Sequence, residues 1–185
     1  MSMLLAFAPF IVFALCDRLL GVVPALSAAA LVAAVLLVRD WLTPGRTVKV
    51  LEIGTVLLFG GLAAYAVATH TEWSLLGVRL RVDAGLLLVV LATMAIGQPF
   101  TLQYAKERTP PEVWTQPGFR RVNNVITAAW AVAFALMVLA DVAMVYMPAL
   151  PLWVGIAVTV VAIVGAVRFT QWYPEHMRAR FQGAG

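Results

Sequence analysis

Apolar runs of about 15 to 25 residues, separated by short polar breaks, recur along the whole of this chain, and that spacing leaves few folds open. At about 1.5 Å of rise per residue, a helix of that length crosses the roughly 30 Å of hydrocarbon in a bilayer. The composition leads the same way. Of 185 residues, 63% are hydrophobic and 12% are charged, whereas a soluble domain is usually about half apolar and a quarter charged. The sequence therefore predicts an all-α fold, a polytopic integral membrane helical bundle forming a single membrane domain over residues 1–185. The formal charge of +4 does not suggest nucleic acid, because the Arg and Lys residues flank the apolar runs instead of forming a patch. Cys16, the one cysteine, has no partner for a disulfide or a cysteine-rich metal site and is expected to pack.

Taken in order, the chain reads as six transmembrane helices, or five if the first segment is re-entrant. The N-terminus lacks the basic start and cleavage site of a secretory signal peptide and is read as retained. A first helix over 3–20 would rise about 27 Å. The GVVP turn at Gly21–Pro24 follows, then a helix over 24–41 whose Ala29/Ala33 and Ala30/Ala34 pairs allow close backbone approach. The third helix is expected over 48–67, with Gly60-Gly61 marking a helix contact, and the fourth over 84–102. The fifth and sixth are expected over 122–146 and 152–172. Loops 39–49 and 104–121 and the tail 173–185 carry most of the basic residues, so the positive-inside rule places them in the cytoplasm with both termini. The segment 69–83, with Glu72 and Asp83 against Arg79 and Arg81, reads as an outer loop.

The densest polar interruption is Gly97 to Trp130, GQPFTLQYAKERTPPEVWTQPGFRRVNNVITAAW. Within it Lys106, Arg108, Arg120 and Arg121 are the candidate contacts for anionic lipid headgroups or partner proteins. Beyond it, Asn123, Thr127, Trp130, Phe134, Met137 and Asp141 are spaced 4, 3, 4, 3 and 4 apart and share one helical face. Asn123 and Asp141 stand about 27 Å apart along it. Two readings fit this face: a helix-packing seam with polar ends, or the wall of a ligand or ion pathway. Asp17, inside the first apolar run beside Arg18, is a further pathway candidate, against an ion pair with Arg18, Arg79 or Arg81. Glu52 suits the positive end of the third helix. His70 and His176 fall on opposite sides, so no metal site is expected. Tyr104, Trp114, Trp172 and Tyr173 read as interfacial anchors. No enzyme motif is present, and no cofactor is expected.

Several landmarks occur in a familiar order: FAPFIVFALCDRLLGVVPALSAAAL at the start, VLLFGGL at Val56–Leu62, VW at Val113-Trp114, and N-x5-WAVAF from Asn124 to Phe134. In this the chain resembles the intracellular septation protein A family of bacterial inner-membrane proteins. It departs from the family in a longer, proline-rich second basic connector and in the FTLQYAKE segment, as a sister group would. The resemblance implies a small, non-enzymatic inner-membrane protein tied to cell division and envelope maintenance, acting through lipids or other envelope proteins. The alternative from the residues is a small transporter or channel with its pathway along the fifth helix; a membrane enzyme acting on lipids is a weaker third.

Overall fold

The computed structural model describes the backbone of residues 3–182 and the side chains of residues 5–177. Within those residues the chain is helical, with no strand: α1 Ala8–Leu20, α2 Val22–Leu42, α3 Val50–Thr69, α4 Leu75–Ala95, α5 Phe100–Lys106, α6 Pro111–Trp114, α7 Pro117–Tyr146 and α8 Leu152–Gln182. Four of them, α2, α3, α7 and α8, are long and apolar enough to cross a membrane; α4 and α5 together make a fifth if that bent pair is one span. These are the elements of a helical membrane bundle. The first helix is shorter than expected, at 13 residues. Pro9 sits in its first turn, where a missing N–H is harmless, and Met3–Phe7 wind instead as a 3₁₀ turn. The chain divides into two compact units, residues 1–89 and 90–185.

In the first unit α1 and α2 are separated by Gly21 alone, at φ +86°, so the expected four-residue turn shrinks to one residue and Pro24 falls inside the first turn of α2. Ala25, Ala29 and Ala33 are buried on α2, where small side chains let backbones approach. Around them Phe13, Leu26, Phe59, Val78 and Val82 form the core, and Cys16 packs against it as expected. The Phe10 and Phe13 rings lie 5.0 and 5.7 Å from that of Phe59. The close approaches are not at Gly60-Gly61, where an added Cβ would meet nothing within 4 Å. They are at Gly54, facing Val89, and at Gly85, facing Leu58.

Helix α4 begins at Leu75, so the second half of the segment read as an outer loop is helical. Ser74 supplies the reason: its hydroxyl accepts the Gly77 N–H at 3.1 Å, an N-cap directly before the Leu75-Leu76 pair. Arg81 is thereby placed to donate to the Gly77 carbonyl at 2.8 Å, with its guanidinium 4.8 Å over the Trp73 ring, which stacks on Tyr65.

The expected continuous helix over 84–102 is broken, and its two pieces are bent by 70°. Gly97 adopts φ +69°, Gln98 N–H returns to the Thr93 carbonyl at 2.9 Å, and Pro99 follows. This is a glycine-terminated helix end with a proline to stop it. The Thr93 hydroxyl accepts the Phe100 N–H at 3.2 Å and so bridges the break. Gly97→Ala is expected to destabilise the purified protein by about 1 kcal/mol, since an L side chain resists the left-handed region, read as a lowered melting temperature in detergent. Helix α7 starts at Pro117, taking Arg120 and Arg121 into its first turns. Helix α8 runs past the expected end at Trp172 to Gln182, with Pro174 inside it, so most of the expected tail is helical. Arg178 and Arg180 lie outside the described side chains.

Candidate functional site

The α7 face picked out by spacing is buried from end to end. Asn123, Thr127, Trp130, Phe134, Met137 and Asp141 are all at most 5% exposed. Helix α5 supplies one covering surface. Thr101 Oγ1 donates to the Asn123 carbonyl at 2.9 Å and lies 2.7 Å from the Thr127 hydroxyl, while Asn123 Nδ2 donates to the Phe119 carbonyl at 2.9 Å. Helix α8 supplies another: Trp130 Nε1 donates to Thr170 Oγ1 at 2.9 Å, and that hydroxyl donates to the Ala166 carbonyl. Phe100 meets the Trp130 ring edge-on at 6.3 Å, and Phe134 lies 5.6 Å from it. In a bilayer helices gain little from hydrophobic exclusion, so small polar hydrogen bonds and tight packing hold such a seam together. Asn123, Trp130 and Asp141 thus lie on one packed face, while Asp17, the remaining pathway candidate, belongs to the other unit. There Asp17 is half-buried and forms no salt bridge among the described residues; of the expected partners Arg18 attracts it by charge without closing a direct pair, and no pair closes with Arg79 or Arg81.

Lys106, Arg108, Arg120 and Arg121 are all exposed. The connector that carries them is ordered from within. Phe100, Leu102 and Tyr104 are buried on α5. Trp114 Nε1 donates to the Thr109 carbonyl at 3.0 Å, its ring lies 5.5 Å from Lys106 Nζ, and Arg120 Nη2 donates to the Gly97 carbonyl at 3.1 Å. Tyr104 is therefore a core residue and not the interfacial anchor expected of it.

A second polar centre lies where sequence reasoning saw only loop charges. Asp40, at the end of α2, is fully buried, and its carboxylate accepts Arg39 Nη2 at 2.8 Å, Arg46 Nη1 at 2.9 Å and Lys49 Nζ at 3.0 Å. Lys49 is itself fully buried; it also donates to the Thr47 carbonyl and lies 3.5 Å from Glu52 Oε1. Three cations and two carboxylates thus clamp the α2–α3 connection. Glu52 serves this cluster as well as the start of α3. The available signal was an acid between basic residues on both sides of a Pro-Gly turn, but burial of a lysine is not written in that pattern.

Among the described residues no group of three or more His, Cys, Asp and Glu side chains is arranged to hold a metal ion. The architecture is that of a multi-pass helical membrane protein. Comparison with protein-family models, characterised proteins and solved structures finds no match.

Proposed function

We propose that this chain is a non-enzymatic protein of the bacterial inner membrane, of the septation protein A type, which acts in envelope maintenance or division. It does so through lipid and protein contacts at its basic cytoplasmic connector. One observation carries the reading: the α7 face is buried along its length, with Asn123, Thr127 and Trp130 hydrogen-bonded to α5 and α8, while Lys106, Arg108, Arg120 and Arg121 remain outward. A pathway needs polar groups facing water, and these face protein. Each cation near an anionic leaflet contributes on the order of 1 kcal/mol, so four make a surface worth several kcal/mol. The order of landmarks along the chain supports the family type.

In this reading the chain crosses six times with both termini inside. The 3₁₀ turn Met3–Phe7 and α1 together rise about 30 Å, which supports a first crossing, and the bent α4–α5 pair serves as the fourth. The test is complementation of a strain lacking the gene. Exchanging all four cations for Gln leaves the amount of membrane-inserted protein nearly unchanged, because the side chains are exposed and the surface contacts of Arg120 with the Gly97 carbonyl and of Lys106 with Trp114 are small losses. The same exchange abolishes rescue of the envelope or division defect. Full rescue by that variant contradicts the reading. Solute uptake lost in Asp141→Asn at unchanged protein level supports the transporter alternative instead.

A further inference from the structure

We propose that the open groove between α7 and α8 is a binding site for one anionic phospholipid, with an acyl chain in the groove and the phosphate on Arg168. This surface is distinct from the basic connector, and the inference does not depend on the role given to that connector. The groove has a volume of about 700 Å³ and only apolar walls, among them Val132, Ala133 and Leu136 of α7 and Val161, Gly165 and Phe169 of α8. Val132, Leu136 and Val161 are exposed along it. Gly165 keeps it open: a Cβ there would meet nothing within 4 Å.

Three features select the occupant. First, the groove extends from Phe169 to Ala157, about 18 Å along α8, which is close to one leaflet of a 30 Å core and short of the full span that a helix of a second copy would follow. Second, Arg168 follows Val161 by two turns and sits only about 20° from it around the helix, so it marks the end of the same stripe. Third, Arg168 lies one turn before Trp172 and Tyr173, an aromatic pair near the end of an apolar span of the kind that anchors at the headgroups. It is exposed and has no hydrogen bond or ion pair among the described residues. At headgroup level a guanidinium is drawn to anionic lipid, and the phosphate of a lipid whose tail fills the groove is the anion within its reach.

The test uses the full chain in phosphatidylcholine nanodiscs containing a small fraction of phosphatidylglycerol with a photoactivatable group in its acyl chain. Crosslinks are mapped by mass spectrometry and compared with those of a matched phosphatidylcholine probe. Crosslinks are expected to concentrate on the 129–136 and 157–169 segments for the anionic probe. Arg168→Gln should lower that yield about fivefold, Arg168→Lys should retain most of it, and Gly165→Leu should lower it by filling the groove. Exchange of Arg120 and Arg121 for Gln should leave it unchanged, which separates this site from the connector. Equal yields from both probes, crosslinks spread evenly over the exposed helix faces, or no effect of Arg168→Gln and Gly165→Leu would overturn the proposal.

Discussion

Asp40→Ala is expected to lower the stability of the purified protein by about 3–5 kcal/mol, a large part of the 5–15 kcal/mol typical of a folded domain. The reason is the partner left behind. Lys49 is fully buried and would lose its 3.0 Å contact with the carboxylate, while its bond to the Thr47 carbonyl and its 3.5 Å approach to Glu52 remain. Arg39 and Arg46, with side chains 39% and 31% exposed, can turn to water instead. Arg39→Gln should therefore cost less than about 1 kcal/mol, as exposed ion pairs do. Removing all three buried charges in Asp40→Leu/Lys49→Met/Glu52→Gln should recover most of the loss, because an apolar pair and a neutral amide replace desolvated charges without leaving one unpaired. Thermal unfolding in detergent reads all three variants. A single Asp40→Ala change no worse than Arg39→Gln would show that the cluster does not hold the α2–α3 connection.

Trp130→Ala should be as damaging within the second unit, at about 3–5 kcal/mol, because it empties the largest fully buried side chain and leaves Phe100 and Phe134 without the ring they pack on. Trp130→Phe keeps most of the volume and loses the indole N–H to Thr170, a bond worth about 0.6 kcal/mol on average between membrane helices. The contrast between the two variants is the informative quantity. A packing role predicts a steep loss for Ala and a shallow one for Phe. If Ala and Phe are equally harmless to folding yet alter the passage of a solute, the ring lines a pathway.

What could be read from the sequence follows from which patterns are periodic. The α7 face was legible because its polar and large residues recur at helical spacing through an apolar run. That made the shared face of Asn123, Trp130 and Asp141 a matter of geometry, although spacing could not say what would cover it. The covering residues, Thr101 on α5 and Thr170 on α8, are far away in sequence and carry no local mark. The break at Gly97 did carry one, glycine followed two residues later by proline, but the apolar residues on both sides masked it. Likewise Ser74 before Leu75-Leu76 signals a helix start, yet the alternating charges from Arg79 to Asp83 suggested a loop. The Asp40 cluster was the least legible. Charges around Pro44-Gly45 normally mark a solvated turn, and only tertiary packing puts Lys49 out of reach of water.

The central claim, that the polar face of α7 is a dry packed seam and the protein works through its surfaces, is tested most directly by thiol accessibility in native membranes. In a Cys16→Ser background, single cysteines replace Thr127 and Met137 within the seam and Arg121 on the exposed connector. Each is then treated from either side with a membrane-impermeant maleimide. The account predicts rapid modification at position 121 and none at 127 or 137 until the protein is denatured. Modification at 127 and 137 in the folded protein, at rates comparable to that at 121, would contradict it and point to a water-filled pathway along α7.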